Sequence, residues 1–376
     1  MNLHVFNDSH GYNLNLVIGH CQSAGAFKKN IFINLNKKTI YKNDKAEYLN
    51  NNILSFKKRI KSLAKIESVS FCPLDYSAAY FLKELKKQQP LVNVNWIFWS
   101  YEFYHQYNKY ENSLTGFSLK YYKKNHPGIK SVLAKLKLFV KQILFIPVSD
   151  RKLLKAGYKL VNNFYSFLPQ DYKNVSTQVN NFNCQYQPIS FLSIEQITQN
   201  IKGDTYYTDE IVIGHAGRLT ANHYEIIKKL SELSISNKIL MPMEYGDAGY
   251  KAEIKKLALA YFDKQINFLE NRLDMQSYFK RLSCVRFGIF NFTNQEGLGN
   301  IIFLIWNGAK VFLQKESSVY KQFTIWKLKI FSLEEELTKQ QLQEPLEAKY
   351  INQNKLILED MFCDKKIKEY WKPLFQ

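Results

Sequence analysis

The 376 residues exceed what a single hydrophobic core usually organises, so the length predicts two domains. Apolar residues make up 46% of the chain and charged residues 23%, which is globular usage and excludes a disordered protein. The formal net charge is +19, so the expected partners are anionic: nucleic acid, lipid headgroups or phosphorylated substrates.

The cysteines and the N-terminus bear on the compartment. Five scattered cysteines include no C-x-x-C pair, which predicts reduced thiols and neither a disulfide framework nor a zinc site. The opening residues "MNLHVFNDSH" lack signal-peptide anatomy, and no stretch reaches the ~18 uninterrupted apolar residues of a membrane span. The sequence therefore predicts a cytoplasmic protein without a metal site.

Short apolar runs alternate with helical patterns along the whole chain. In the first half, "NLHVFND", "SVSFCPLDY", "VNWIFWSYE" and "ILFIPVSD" have the pattern of strands, and residues 50–65 and 76–88 that of helices. In the second half, "EIVIGHAG", "NKILMPMEYG", "INFLE", "VRFGIFNFT" and "KVFLQ" read as strands with helical stretches between them. This alternation predicts βαβ units and parallel sheets.

The polar stretch 174–208 carries no sheet rhythm and is predicted to link the two halves. We expect an N-terminal Rossmann-like domain (1–190), a C-terminal Rossmann-like domain (205–335) and a helical tail (336–376), its helical pattern beginning near residue 333. Two such domains facing a central cleft form the α/β fold called GT-B. Ligands of open α/β sheets bind beyond the carboxyl ends of the strands.

Three loops in the second half follow predicted strands. In "FTNQEGLGNIIFLIWNGAKVFLQ" (292–314), Gly297 and Gly299 supply a turn before a helix that is apolar nearly all round. A buried helix with its N-terminus at the cleft suits a diphosphate, because unpaired amides and the helix dipole favour anions. Glu296 could accept hydrogen bonds from ribose or sugar hydroxyls. A plain structural turn is the alternative.

The other two loops are weaker signals. In "IGHAGRLTANHYEII", Gly214 and Gly217 allow a tight turn, and Thr220 or Asn222 can cap the next helix. In "LMPMEYGDAGY", a buried strand ends in polar residues, although Asp247 could simply cap the following helix. Together the three loops supply the binding-site candidates Gly214, Gly217, Thr220, Asn222, His223, Glu244, Tyr245, Gly246, Asn294, Gln295, Glu296, Gly297, Gly299 and Asn300.

These motifs resemble those of glycosyltransferase family 56, the 4-acetamido-4,6-dideoxygalactose (N-acetylfucosaminyl) transferases of enterobacterial common antigen type. The family loop Arg-Gln-Gln-Ala/Gly-x-Gly-Asn-Ile is similar to 294–301 (NQEGLGNI), and Gly-Lys-Lys-Val-Phe-Leu to 308–313 (GAKVFL). Pro-Leu-Ser-Tyr-Gly is similar to 242–246 (PMEYG), and Trp-Gly-x-Asp-Leu-Tyr to 99–104 (WSYEFY). The family turn Gly-Asn-Ser…Ser/Thr-Asn-x-His is similar to 214–223.

The resemblance implies an inverting enzyme that takes a nucleotide-diphosphate sugar, dTDP-linked sugars among them, and needs no cofactor. The acceptor it implies is a polyprenyl-diphosphate-linked saccharide of surface polysaccharide synthesis. Inversion requires a base in the N-terminal domain, for which Asp8 and Glu102 stand at predicted strand ends. Alternatively, Asp8 caps a turn and Glu102 pairs with a lysine. His10, His20 and His105 are lesser candidates.

A basic stretch runs from Asn112 to Ser149 without a single Asp or Glu. Within it, "SVLAKLKLFVKQILF" predicts an amphipathic helix that suits an anionic headgroup layer. The membrane-binding candidates are Lys130, Lys135, Lys137 and Lys141. They support a peripheral position on the cytoplasmic face of the inner membrane, with the solvated face of an ordinary helix as the alternative.

Two other functions compete with a transferase. The net charge and the many aromatic residues fit a nucleic-acid-binding protein, but no RNP-type motif or recognition-helix signature is present, so we expect no nucleic-acid partner. The chain departs from the family motifs at Glu102, Glu244, Asn294 and Glu296, and these departures also fit a GT-B-shaped protein that has lost activity. The residues name neither the sugar, the linkage nor the oligomeric state.

Overall fold

The computed structural model describes residues 1–126, 139–198 and 208–376. The chain divides into two compact units, each built on a parallel sheet. Unit 1 comprises Met1–Lys109, the described part of Gly128–Phe191, and Ile367–Gln376. Unit 2 comprises the described parts of Tyr110–Pro127 and Leu192–Lys366.

Unit 1 contains a seven-stranded sheet, sheet 1, of order β3-β2-β1-β4-β5-β6-β7 with every pair parallel. The inner strands β1, β4 and β5 are short and mostly buried because both faces of a parallel sheet are covered, whereas the edge strands β3 and β7 are partly exposed. Their bounds are β1 Asn2–Phe6, β2 Asn30–Asn34, β3 Ala46–Tyr48, β4 Ser68–Cys72, β5 Asn93–Ile97, β6 Asn163–Ser166 and β7 Gln185–Pro188. The strand order reverses between β1 and β4, which is where such sheets bind ligands.

The helices of unit 1 pack a core around Trp96, Phe71 and Phe164. The π-helix Glu102–Tyr107 follows β5 directly. The α-helices are Tyr12–Ser23, Ile53–Lys61, Tyr76–Gln88, Arg151–Tyr158, Pro169–Gln178 and Asp364–Phe375, with a 3-10 turn at Phe27–Lys29.

Unit 2 contains a six-stranded parallel sheet, sheet 2, of order β10-β9-β8-β11-β12-β13. Its strand order reverses between β8 and β11. The strand bounds are β8 Thr208–Ile213, β9 Ile239–Pro242, β10 Ile266–Leu269, β11 Val285–Phe290, β12 Lys310–Leu313 and β13 Phe331–Ser332.

The helices of unit 2 cover both faces of sheet 2. The most buried is Leu298–Trp306, whose Ile301–Ile305 run is fully apolar and inaccessible, as its sequence predicts. The others are Gly116–Asn125, Ile194–Thr198, His223–Glu232, Ala248–Phe262, Met275–Ser283, Ser318–Ile325 and Ala348–Phe362, with 3-10 turns at Tyr110–Ser113, Leu219–Ala221 and Asp263–Gln265.

Two segments belong to a unit from which most of their sequence neighbours are excluded. The helix Gly116–Asn125 belongs to unit 2, where the Thr115 amide donates to Asn222 Oδ1 (2.9 Å) and the Phe117 amide to Glu225 Oε1 (2.9 Å). The C-terminal helix belongs to unit 1, where Trp371 Nε1 donates to the Ser190 carbonyl (2.8 Å).

Several predicted elements differ from the structure. The stretch "ILFIPVSD" forms no strand, because Pro147 has no amide to donate and Phe145 adopts a positive φ of 54°. The sheet position next to β5 is taken by β6 instead. The predicted linker 174–208 supplies β7 and the helix Ile194–Thr198, and the helical tail begins at Ala348, not near residue 333.

Candidate functional site

A cavity of about 230 Å³ lies at the carboxyl ends of β8, β9 and β11 in unit 2. The three loops that the sequence singles out converge on it, because the carboxyl ends of neighbouring parallel strands share one edge of the sheet. We call this cavity the unit 2 pocket. Its lining residues are His215, Glu244, Tyr245, Tyr278, Gly297, Leu298, Gly299 and Asn300.

The N-terminus of the helix Leu298–Trp306 forms one wall of the pocket. Gly297 takes the left-handed conformation (φ 60°), and a β-carbon there would lie 3.0 Å from His215 Cγ, so any other residue would be strained at this position. A β-carbon on Gly299 would meet no atom within 4 Å. Asn300 Nδ2 donates to the Tyr278 hydroxyl (2.7 Å). The first amides of this helix thus border open space, where an anion can bind.

The loops after β8 and β9 are tied together by a short parallel bridge between Gly217 and Gly246. The Gly217 amide donates to the Tyr245 carbonyl (2.8 Å), and the Asp247 amide to the Gly217 carbonyl (3.2 Å). A β-carbon on Gly246 would lie 2.0 Å from the Gly217 oxygen, so this close backbone approach requires glycine. The bridge fixes Tyr245 at the pocket rim.

Ionisable side chains surround the pocket. Glu296 is half-buried, and Thr220 Oγ1 donates to its Oε2 (2.9 Å). Burial raises the pKa of Glu296, and nearby Arg218 partly opposes this. Burial, and then Arg218, lowers the pKa of His215 to about 3, so this imidazole is neutral at physiological pH. Burial also raises the pKa of Glu244.

The remaining candidates of the three loops lie behind the pocket wall. Asn222 occupies the N-cap position of the helix His223–Glu232, but its side chain makes no capping bond. Its Nδ2 donates to the Asn291 carbonyl (2.9 Å) instead, and its Oδ1 accepts from Thr115, so the capping prediction for it was wrong. Asp247 does cap its helix, accepting from the Tyr250 amide (2.7 Å).

Other candidates serve as supports. Asn294 Nδ2 donates to Ser113 Oγ (2.6 Å), which ties the pocket loop to the segment that joins unit 2 from the first half of the chain. His223 Nδ1 lies 3.3 Å from the Tyr250 hydroxyl, and its Nε2 lies 2.9 Å from where a β-carbon on Gly214 would be. Gln295 Oε1 is buried without a hydrogen-bond partner among the described residues.

In unit 1, Asp8 follows β1 at the point where the strand order reverses. Its two carboxylate oxygens accept four backbone amides: those of His10 (3.0 Å) and Gly11 (2.8 Å), and those of Asn13 (2.9 Å) and Leu14 (3.3 Å). The side chain is 9% exposed. Asp8 therefore closes the first turn of the helix Tyr12–Ser23, as the turn-capping alternative predicts.

Glu102 follows β5 and is fully buried. Its Oε1 accepts from Trp96 Nε1 (2.9 Å) and from the Trp99 amide (2.8 Å), whereas its Oε2 has no hydrogen-bond partner among the described residues. Burial raises its pKa to about 8. No lysine pairs with it among the described ion pairs. The residue before Tyr101, Ser100, has a strained φ of 82°.

Three of the membrane-binding candidates, Lys130, Lys135 and Lys137, lie outside the described residues. Lys141 is exposed. Beside it stand five exposed apolar side chains: Phe139 (58%), Val140 (44%), Ile143 (57%), Leu144 (53%) and Phe145 (46%). No described helix is both long and apolar enough to cross a membrane.

Three residues of interest are absent from the sequence candidates. Arg218 lies inside the loop that contains Gly214 and Gly217, and its positive charge is the feature by which the sequence could have identified it as a ligand-binding candidate. Asp75 follows β4, and its Oδ2 accepts from Asn7 Nδ2 (2.7 Å) and the Tyr101 hydroxyl (3.3 Å). Tyr278 comes from a helix that no motif marks. The described residues include no group of three or more His, Cys, Asp or Glu placed to hold a metal ion.

The family model described as "4-alpha-L-fucosyltransferase glycosyl transferase group 56" matches residues 162–371, which is more than half of the chain. Solved structures resemble the chain over its full length. Sucrose-phosphate synthase from Thermosynechococcus elongatus is 10% identical (TM-score 0.64), with 100% of this chain and 98% of that chain covered.

Two further solved structures resemble the chain over its full length at low sequence identity. One, titled "Trehalose-6-phosphate from E. coli bound with UDP-2-fluoro glucose", is 8% identical (TM-score 0.64; 100% and 99% covered). The other, a glycosyltransferase from Rickettsia africae ESF-5, is 10% identical (TM-score 0.60; 100% and 98% covered). At these identities the likeness is one of fold, and it confirms the predicted GT-B fold.

Proposed function

Since this chain belongs to the 4-alpha-L-fucosyltransferase family, glycosyl transferase group 56, and is thus a glycosyltransferase, we propose that it moves a sugar from a nucleotide-diphosphate donor to a polyprenyl-diphosphate-linked saccharide, with inversion. The observation that carries this proposal is the convergence of the loops after β8, β9 and β11 on one pocket at the N-terminus of a buried helix. The product would belong to a surface polysaccharide.

The pocket has the groups that a nucleotide sugar requires. The amides of residues 297–300 precede or begin the helix Leu298–Trp306, and the positive end of its dipole favours a diphosphate. Glu244 and Glu296 offer acceptors for ribose or sugar hydroxyls. The E. coli protein of the same fold is bound with UDP-2-fluoro glucose, which supports a nucleotide sugar as the donor class. A dTDP-linked sugar is one such donor.

The donor site is tested by Gly299→Val. The new β-carbon would have no protein atom within 4 Å, so the fold should persist, but the branched side chain fills space beside the amides that would bind phosphate. We expect calorimetry to show a ~100-fold loss of affinity for whichever of dTDP, UDP and GDP binds the parent most tightly, which is ~2.7 kcal/mol. Gly19→Val is the matched control, because Gly19 also lies in a helix with no atom near its β-carbon position. Unchanged binding by a folded Gly299→Val protein would refute the site.

For the acceptor, we propose the carboxyl edge of sheet 1, with Asp8 or Glu102 as the base. In an inverting transfer the acceptor oxygen attacks opposite the departing nucleotide and must lose its proton to a basic group. Asp8 is slightly exposed and stands at the reversal of strand order. Glu102 is fully buried, so it would act on an acceptor only after a local movement.

We further propose that the enzyme binds the cytoplasmic face of the inner membrane peripherally. The supporting observation is the exposed apolar run from Phe139 to Phe145 around Lys141, since apolar side chains flanked by lysines suit an anionic headgroup layer. The Leu144 carbonyl accepts from Asn52 Nδ2, and the Phe145 carbonyl from the Ile53 amide, which hold this run against the helix Ile53–Lys61.

The membrane proposal is tested with four substitutions, Lys130→Gln, Lys135→Gln, Lys137→Gln and Lys141→Gln. Each lysine near an anionic surface contributes ~1 kcal/mol, so together they should abolish binding to phosphatidylglycerol-containing vesicles while transfer to a soluble short-chain acceptor persists. The control removes the same charge from exposed positions elsewhere: Lys256, Lys264, Lys280 and Lys365. Equal vesicle binding by both variants would refute the proposal.

A further inference from the structure

Arg218 is an exposed cation at the rim of the unit 2 pocket. Its guanidinium carbon lies 5.3 Å from the centroid of the Tyr245 ring, a cation–π contact, and Tyr245 lines the pocket. The backbone bridge between Gly217 and Gly246 fixes the position of Arg218, because Gly217 directly precedes Arg218 and Gly246 directly follows Tyr245. Its own amide donates to the Ala216 carbonyl (2.9 Å).

The hydrogen-bonding capacity of Arg218 is unused. Among the residues that the structure describes, its side chain has neither a hydrogen-bond acceptor nor an ion-pair partner. The neighbouring cations differ: Lys251 Nζ donates to the Met243 carbonyl (3.0 Å), and Arg272 acts on Glu244. A guanidinium presents its N–H groups as a planar fork that matches two phosphate oxygens at once.

The pocket needs such a cation. Glu244 lines it and Glu296 borders it, so two carboxyl groups oppose a bound diphosphate wherever they are ionised. His215 lends no charge, since burial keeps its imidazole neutral. Helix amides alone are partial charges, equivalent to roughly half an elementary charge. Arg218 influences both Glu296 and Tyr110 in the same region.

We propose that Arg218 binds the diphosphate of the donor and makes the pocket selective for a nucleoside diphosphate over a monophosphate, an inference that rests on the proposed function. In the transfer, the bond between the sugar C1 and the β-phosphate oxygen breaks, and its electron pair stays on that oxygen. The acceptor oxygen forms the new bond to C1 and its proton passes to the base. Arg218 changes no bond; it stabilises the charge that grows on the leaving phosphate.

The test compares dTDP, UDP and GDP with dTMP, UMP and GMP by calorimetry, in the parent and in Arg218→Gln. Hydrogen bonds to charged groups contribute ~1.5–3 kcal/mol, so we expect the best diphosphate to lose ~10- to 100-fold in affinity and its monophosphate less than ~3-fold. Arg218→Lys should recover part of the loss, because it restores the charge without the fork. Arg286→Gln is the control for a general change of charge, because Arg286 is paired with Asp209 (2.8 Å) and is not part of the pocket lining; it should alter the ratio less than ~3-fold.

The outcomes separate this inference from the proposed function. A parent that binds none of the three diphosphates refutes the donor pocket and the inference together. A parent that binds one of them, with an unchanged diphosphate-to-monophosphate ratio in a folded Arg218→Gln protein, refutes the inference alone. A selective loss for the diphosphate supports both.

Discussion

The carboxyl edges of the two sheets are built in opposite ways. On sheet 1 two of the acidic side chains at the strand ends are engaged by the protein itself: Asp8 accepts four amides, and Asp75 accepts from Asn7, Tyr101 and the Ala78 amide. The third, Glu102, has one engaged oxygen, whereas its Oε2 has no partner among the described residues. On sheet 2 the corresponding loops leave polar groups without a hydrogen-bond partner among the described residues, namely the Arg218 guanidinium, which contacts the face of the Tyr245 ring, and His215 Nδ1, around a cavity of about 230 Å³.

This difference separates two ways in which polar residues end a parallel strand. Internal hydrogen bonds hold a carboxylate in one position, which stabilises the loop but leaves little capacity for a ligand. Groups without internal partners cost free energy when they are desolvated, and a ligand can repay that cost. The edge of sheet 2 therefore has the features of a binding site, whereas on sheet 1 Asp8 and Asp75 have the features of a rigid frame around the acceptor site proposed there.

The largest expected effect tests whether Asp8 or Glu102, at the carboxyl edge of sheet 1, takes part in catalysis. Asp8→Asn and Glu102→Gln keep the shape of the side chain but remove the basic oxygen. If one of them is the base, its substitution should lower the turnover ~10²- to 10⁴-fold with little change in donor affinity, measured by steady-state transfer and by calorimetry.

The matched control for this prediction is Asp150→Asn. Asp150 also caps a helix of unit 1, accepting from the Leu153 amide (3.0 Å), but it follows no strand of sheet 1. If Asp8→Asn and Glu102→Gln lower only the melting temperature, as Asp150→Asn should, the edge of sheet 1 is purely structural and the base lies elsewhere.

The next effect is a pH dependence of opposite sign in the two regions. The pKa of Glu102 is raised from 4.5 to about 8 in the folded chain. Its protonated carboxyl therefore contributes fully to the free energy of unfolding below pH 4.5, and this contribution is lost as the pH rises through about 8. The pKa values of His215 and His223 are lowered to about 3, so their contribution is present above the ordinary value of 6.5 and is lost as the pH falls.

Urea unfolding from pH 4 to pH 9 measures both slopes. Glu102→Gln should remove a decline in stability between about pH 4.5 and pH 8, and His223→Gln should remove part of the rise in stability between pH 4 and pH 6.5, to which buried His4 also contributes because its pKa is lowered to about 4. The exposed His126 serves as the control through His126→Gln, which should leave the profile unchanged. A decline in stability between pH 4.5 and pH 8 that is as large in Glu102→Gln as in the parent would show that the buried Glu102 carboxyl is not its cause.

The smallest effect distinguishes two glycines of the pocket loop. Gly297→Ala should destabilise the fold by about 1–2 kcal/mol, since its φ is 60° and the new β-carbon would press on His215. Gly299→Ala should stabilise it by up to about 1 kcal/mol, because it lies in a helix with open space around it. Equal effects of the two substitutions in urea unfolding would show that the pocket loop is not held as described.

Much of the fold follows from local patterns. Short apolar runs that end in polar residues identify β1, β4, β5, β8, β9 and β11, and the all-apolar run after Asn300 identifies a buried helix. Because βαβ units place successive strand ends at one edge, the sequence also predicts that the loops containing Gly214, Glu244 and Gly297 meet, and all three border one pocket.

Other features have no local signal. A segment such as "NFYS" of β6 is too short and too polar to be recognised as a strand, whereas "ILFIPVSD" is an apolar run that forms no strand. The side chain of Asn222 looks like a helix cap in sequence, yet it bonds to Asn291 and Thr115, which are distant along the chain. Such competition between local and distant hydrogen-bond partners is decided by packing.

By itself the sequence determined the two parallel α/β sheets, the family motifs and the loops that form the pocket, because hydrophobic period and strand-end polarity are local properties. Only the tertiary structure decided that the helix Gly116–Asn125 joins unit 2, that Arg218 lies over Tyr245, and that Glu102 is buried with a raised pKa. These features depend on contacts between residues that are distant in sequence; Ser113 and Asn294, for example, are more than a hundred positions apart. A sequence pattern shows which face of an element is buried but not which residues cover it.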